Sequence, residues 1–273
     1  MRVANNLHIL IRGGGDLSSG VILRLARAGC SLLVLELEKP RAVRRAVSFA
    51  QAVYNGAIVI EDIHSSLAKT EEEAWDLIHR GWIPVMVDPS AEAFHWFQPD
   101  VIVDGRMMKK SPANTFDKDT FQIGLGPGFV SGKNCHAVIE TKRGPFLGRV
   151  IWQGGAEEDT GLPEKIGDAQ AERVVRAPIE GVFIAKAKIG DHLMSGQVLA
   201  QVESEMITAP FECRLRGMLM DGLWVSKGLK VGDLDPRLDP RIWQLVSDKA
   251  LAVGGGVLEA ILSVPILRRK IGR

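Results

Sequence analysis

The chain has 273 residues, 46% hydrophobic and 25% charged, enough for one large or two modest domains with real cores and too apolar for a disordered protein. Thirty-four basic residues against thirty-three acidic ones leave a formal net charge of +1, so there is no electrostatic footprint for nucleic acid or for an acidic membrane. Cys30, Cys135 and Cys213 stand far apart with no C-x-x-C pair, which argues against a disulfide framework, a zinc ribbon and an iron–sulfur site.

MRVANNLHIL lacks a basic region leading into an unbroken apolar core, so it does not read as a signal peptide. LHILIR (7–12) reads as a buried strand that ends at Gly13-Gly14-Gly15-Asp16. Leu17, Val21, Ile22, Leu25 and Ala28 then follow helical spacing, and Gly29 is placed to end that helix. LLVLE (32–36) is the next strand, and RAVRRAVSFAQAV (41–53) reads as a second helix with Val43, Val47 and Ala50 on one side. AIVI (57–60), IPVMV (83–87) and VIV (101–103) have strand length, and Thr70 caps a helix opened by Glu71-Glu72-Glu73. Alternation of this kind predicts an α/β domain, a doubly wound, Rossmann-like parallel sheet over 1–118.

The texture then changes. Residues 119–171 are glycine-rich with short apolar runs and read as strands and turns, closing in an acidic linker over 154–171. Residues 172–236 form a second domain, and 237–273 a C-terminal segment with a helix from about 248 to 262. Its internal Gly254-Gly255-Gly256 costs about 1 kcal/mol per glycine relative to alanine. Residues 253–267 are the longest apolar stretch, but Glu259 and Pro265 interrupt it and it falls short of a membrane span. A cytoplasmic protein without a membrane or nucleic-acid partner is expected, and a homo-oligomer is compatible with this.

The second domain repeats itself at a shift of thirty-two positions. Ala177-Pro178 matches Ala209-Pro210, Gly190 matches Gly222, and Gly196 matches Gly228. Short apolar strands between glycine turns, four per half about a pseudo-two-fold, resemble the barrel-sandwich fold of biotinyl and lipoyl carrier domains. Such carriers present a modified lysine on the hairpin joining the halves. Here the junction is Glu203-Ser204-Glu205-Met206, and no lysine lies between Lys188 and Lys227.

Gly13-Gly14-Gly15-Asp16-Leu17-Ser18 sits where a dinucleotide-binding turn belongs, between a strand and a helix start that attracts anionic oxygens. Read as G-x-G-x-x-G, its third glycine is replaced by Ser18; Glu36 ends the second strand where an acid accepts from ribose hydroxyls. A purely structural glycine turn is the competing reading. Gly124 to Lys133 fails as a P-loop because Pro127 and Asn134 replace the required glycine and Ser/Thr, leaving Gly126 and Gly128 as a candidate backbone nest. The six histidines show no metal-ligand spacing, so no metal site is expected. Asp88 and Asp104 lie just past predicted parallel strands, where open α/β sheets bind ligands.

IRGGGDLSSGVILRLARAG, EKPRAVRRAVSFAQAV, IGLGPGFVSGKNCHAVIETKRG, LGRVI, the RAP…IGD…G repeat and KVGDLDPR…SDKALAVGGGVLEA together resemble the YqeB-like accessory proteins of the selenium-dependent molybdenum hydroxylase system, over residues 7–262. They are distantly similar to xanthine dehydrogenase accessory proteins. The family pattern continues R-G-H where this chain has Arg143-Gly144-Pro145, so no role resting on that histidine carries over. The resemblance implies a maturation factor that binds a dinucleotide or molybdopterin-type cofactor and presents it to a molybdenum hydroxylase or its maturation proteins. It supplies no catalytic residue. An NAD(P)-dependent oxidoreductase and a scaffold with no small ligand are the alternatives.

Overall fold

The computed structural model describes residues 6–108, 119–158 and 172–271. An apolar run with no polar alternation must be buried on both faces, and LHILIR is: β1 (His8–Arg12) lies at the centre of a sheet. A glycine turn leads into α1 (Asp16–Arg27) and back to β2 (Ser31–Glu36). Two 3-10 turns (Arg45–Val47 and Phe49–Gln51) precede α2 (Ala52–Asn55) and the hairpin β3 (Ala57–Ile60) and β4 (Ile63–Leu67). Then come α3 (Glu71–His79), β5 (Ile83–Val87), α4 (Phe94–Phe97), β6 (Val101–Asp104), β7 (Phe121–Leu125), β8 (Val130–Ser131), β9 (Ala137–Ile139), β10 (Val150–Ile151) and β11 (Gly154–Gly155). Thr70 caps α3 as expected, its Oγ1 accepting the Glu73 N–H at 3.2 Å.

Among the described residues the large sheet runs β10-β9-β7-β6-β1-β2-β5-β4-β3, parallel from β9 to β4 and antiparallel only at its two ends. The expectation of a mixed α/β fold with a large parallel sheet is met. Leu10, Leu33 and Leu35 pack with Trp75, Ile78 and Phe97 of α3 and α4. The alternate residues Ile9, Ile11, Leu32 and Val34 are equally buried and point to the other face. The chain leaves β1 toward β2 and returns on its other side as β6, so the topological switch point lies between β1 and β6.

Contacts divide the chain into two compact units, whose described residues are 6–40, 49–108, 119–158 and 246–271 in one and 41–48 and 172–245 in the other. The helix expected over 41–53 is corrected to the two 3-10 turns and the short α2. Ser48 is extended, and in the second unit Arg45 Nε donates to the Met218 carbonyl at 2.7 Å while Arg44 donates to the Leu245 carbonyl at 2.9 Å. Tertiary partners for the arginines outweigh a weak helical pattern. Of the acidic linker, Gly154–Gly155 instead pairs with β8, and 159–171 lie outside the described residues.

In the second unit the elements are β12 (Val174–Arg176), β13 (Gly181–Ala185), β14 (His192–Leu193), β15 (Val198–Val202), β16 (Glu205–Thr208), β17 (Cys213–Met218), β18 (Trp224–Val225) and β19 (Lys230–Asp235). They form two small antiparallel sheets, β12-β19-β17-β14 and β16-β15-β13-β18. Shifted by thirty-two, one sheet maps onto the other, register included: Phe183 pairs with Val202 and Leu215 with Leu234. Gly190 N–H donates to the Leu215 carbonyl and Gly222 N–H to Phe183, both at 2.8 Å. Both sheets contribute to one core through Phe183, Val202, Leu215 and Leu234. The joining segment is a lysine-free hairpin turn, with Val202 opposite Glu205.

Gly196 and Gly228 hold φ of +82° and +81° with nothing within 4 Å of an added Cβ, so a substitution there meets backbone strain alone. We expect Gly196→Val or Gly228→Val to cost about 1–3 kcal/mol, read as a lower denaturation midpoint of the full chain. An unchanged midpoint would show that these turns do not need the left-handed conformation. Closing the chain, α5 (Asp248–Leu262) follows Ser247, whose Oγ accepts the Ala250 N–H at 3.1 Å, and α6 (Pro265–Arg268) ends it. In the first unit α5 packs on α1 and on β7, β9 and β10.

Candidate functional site

The glycine turn lies at the carboxyl end of β1, at the switch point, tied down from three sides. Gly13 takes φ +86°, and an added Cβ would stand 3.3 Å from Arg106 Cγ. Gly14 has no room either, with Ala50 N and Val34 Cγ1 each 3.0 Å from its added Cβ, and its carbonyl accepts the Ala50 N–H at 2.9 Å. Gly15 faces open space and, as the N-cap of α1, supplies no side chain to that helix end. Asp16 occupies the first turn and Leu17 is half-buried beside it.

Ser18 accounts for the missing third glycine. It is buried, and an added Cβ on Gly105 would stand 2.0 Å from its Oγ. The close approach of helix to sheet that the motif's last glycine grants is thus granted from the opposite side, by Gly105 at the end of β6.

Glu36 joins the turn in an unexpected way. Its Oε1 accepts the Gly14 N–H at 2.6 Å and its Oε2 accepts the Leu37 N–H at 2.9 Å, so the carboxylate braces the backbone. Burial pushes its pKa up, against the pull of those two backbone donors. Glu36, the acid expected at a ribose, holds the turn in shape through these two contacts.

Sequence reasoning did not single out the arginines beside it. Arg12 ends β1, and Arg106 follows β6. Arg106 grips both oxygens of buried Asp104, with Nε at 2.9 Å and Nη2 at 2.5 Å. Arg12 Nη1 stands 3.8 Å from the same carboxylate. Asp88 caps the chain ahead of α4, accepting the Glu92 and Ala93 N–H groups at 3.1 and 2.8 Å. Burial and Arg106 pull the Arg12 pKa down, partly offset by Asp104 and Asp88. A strand-end arginine is hard to tell from a surface one; its only signal is position after an apolar run.

Arg12 and Asp104 also line a cavity of about 540 Å³ in this unit, over β1, β6 and β7. Leu10, Ile102 and Ile123 carry its apolar surface, with Phe94 and Phe129 beside them. Cys135 borders it, and burial pushes its thiol up to about 11. Gly126 and Gly128 stand past β7, two strands from the glycine turn, and are not brought into it. An added Cβ would meet Thr141 Oγ1 at 2.9 Å on Gly126 and the Met108 carbonyl oxygen at 2.2 Å on Gly128, so both serve close packing. Asn134 organises their loop, accepting the Val130 N–H at 2.7 Å. Among the described residues no cluster of His, Cys, Asp and Glu is arranged to hold a metal ion.

Fold and site together define an α/β protein whose large parallel sheet opens, at its switch point, on a glycine turn and an arginine-lined cavity. The chain is similar to the uncharacterized protein YqeB of Escherichia coli (strain K12), 46% identical over 254 residues, which are 93% of this chain and 47% of YqeB. It therefore spans about half the length of the curated relative it matches. An aspartoacylase family protein from Mesorhizobium loti aligns with 84% of this chain and 85% of its own at 11% identity and a TM-score of 0.25, too low to carry an argument. No family profile matches the chain. Among the described residues no helix is long and apolar enough to cross a membrane.

Proposed function

We propose that this protein is an accessory factor that binds a phosphate-bearing cofactor, of dinucleotide or molybdopterin type, and presents it to a selenium-dependent molybdenum hydroxylase or to that enzyme's maturation proteins. The observation that carries the binding half is Gly15: an uncapped helix start with open space before it, on a turn braced by Glu36, beside Arg106 and Arg12 at the switch point. Backbone N–H groups and the helix dipole favour an anion there. The client is suggested by the resemblance alone. The second unit is, in this reading, a Rossmann domain's companion of barrel-sandwich type that docks a partner and carries no swinging arm, since its hairpin has no lysine.

Gly15→Val has room in the fold and places a side chain where a phosphate would approach. Calorimetric titration with NAD, FAD, CTP, GTP and molybdopterin dinucleotides should show binding to the wild-type protein and at least tenfold weaker binding to the variant. Silence of the wild type across the panel, reduced and oxidised, would leave the scaffold reading in its place. Steady-state oxidation of reduced nicotinamide, lost in Gly15→Val, would instead favour the oxidoreductase.

A further inference from the structure

The cavity over β1, β6 and β7 has its own chemistry, separate from the glycine turn. Its volume, about 540 Å³, falls within the range of small-molecule sites, roughly 300–1,000 Å³. Its apolar side is built by Leu10, Phe94, Ile102, Ile123 and Phe129, its polar side by Ser90, His95, Gln122, Asn134 and Asp104, and a guanidinium stands against it.

That cation is Arg12. Asp104 is gripped at both oxygens by Arg106, and Asp88 is engaged by two backbone N–H groups. The acid oxygen nearest Arg12 among the described residues is 3.8 Å away, beyond hydrogen-bond distance. The Arg12 side chain is 16% exposed, so its guanidinium is half-withdrawn from solvent yet still reachable from the cavity. An anion entering the cavity would gain a charge-assisted hydrogen bond that the 3.8 Å approach of Asp104 does not supply. The rim adds a second sign of construction. Ala91, which lines the cavity, holds φ at +63°, a strained conformation for a residue with a side chain, of the kind that clusters at ligand sites.

We propose that this cavity binds a small organic anion, its flat apolar body against Leu10, Ile102 and Phe129 and its carboxylate, phosphate or sulfonate against Arg12. The inference does not rest on the nucleotide reading; it needs the cavity and Arg12, not the glycine turn.

The test uses two probes that differ only in charge, 8-anilinonaphthalene-1-sulfonate and its neutral parent N-phenyl-1-naphthylamine, titrated by fluorescence into the full chain. Arg12→Met keeps the apolar stem and removes the charge, and should weaken the sulfonate about tenfold or more while moving the neutral probe less than threefold. Ile102→Trp fills the cavity and should remove both. Trp224→Ser, on the exposed face of the second unit, should change neither and so controls for surface binding. Failure of the wild type to bind the sulfonate saturably would overturn the proposal. So would equal effects of Arg12→Met on both probes, or full binding to an Ile102→Trp protein whose circular dichroism is native. Loss of the nucleotide result with the sulfonate result intact would sink only the earlier reading, and the reverse only this one.

Discussion

Asp233→Ala should destabilise the second unit by about 3–5 kcal/mol, the cost of breaking a buried ion pair from one side. Asp233 is 1% exposed on β19. It accepts from Arg216 Nε at 2.7 Å, Lys230 Nζ at 3.1 Å and Arg173 Nη2 at 3.5 Å, two of them arginines nearly out of water themselves. Removing the carboxylate leaves those guanidinium groups desolvated; Asp235, which also reaches Arg216 at 3.3 Å, compensates only in part. Asp233→Asn should cost nearly as much, because the charge rather than the shape is what the arginines need.

The same cluster sets an acid limit. Burial pushes the Asp233 pKa up, but Lys230, Arg216 and Arg173 together outweigh it and hold the carboxyl at about 2. The ordinary value of an unfolded aspartate is about 3.9. A folded pKa below the unfolded one gives stability that is fully present above about pH 4 and is lost as pH falls toward 2. Denaturant midpoints of the wild type should therefore drop between pH 4 and pH 2, and those of Asp233→Asn should fall less steeply there. Parallel slopes for the two proteins would remove Asp233 from the acid response.

Much of the fold was legible because its signals are local. The run LHILIR, the glycines after it and the period of α1 need no partner to be read, and α5 begins at a Ser cap that the chain itself supplies. The repeat was legible for another reason: two stretches under the same structural demand keep Ala-Pro and glycine at matching positions, and the observed registers match too. What failed was non-local. Val43, Val47 and Ala50 have helical spacing, but Arg44 and Arg45 bond carbonyls 201 and 173 positions later and the helix does not form. The strand β4, IHSSL, is half polar, and α4 is one turn long, so neither offers a period to detect.

The site divides the same way. Its glycine turn was visible in sequence, whereas the compensation of Ser18 by Gly105 depends on β6 returning beside β1. Glu36 stands at the strand end where an acid is expected, and it also accepts a Gly14 N–H that no spacing rule predicts. The cavity draws residues from β1, β6, β7, α4 and the loop after β8, and only the strand order brings them together.

Gly254, Gly255 and Gly256 stand side by side in α5, and alanine should act on them in opposite directions. In sequence each is a weak point. In the fold, an added Cβ on Gly254 would stand 2.4 Å from the Gly20 carbonyl oxygen, and one on Gly256 2.1 Å from that of Gly148. Gly20 returns the contact, since its own added Cβ would lie 2.1 Å from the Ala250 carbonyl oxygen. Backbones this close cannot admit a methyl group without parting α5 from α1 at Gly254 or from the Gly148 loop at Gly256, and overpacking of that kind costs about 1–3 kcal/mol. Gly255 faces open space, so Gly255→Ala should instead gain about 0.5–1 kcal/mol from helix propensity. Thermal unfolding should register a rise for Gly255→Ala and falls for Gly254→Ala and Gly256→Ala, at about 2–4 °C per kcal/mol. Gly20 lies in the helix whose first turn begins at the glycine motif, so moving α1 also re-aims the N–H groups at Gly15. Gly254→Ala should accordingly weaken the nucleotide binding proposed above, in the same direction as Gly15→Val, and Gly255→Ala should not. Equal stability changes at 254 and 255 would mean that the two helices do not need to touch.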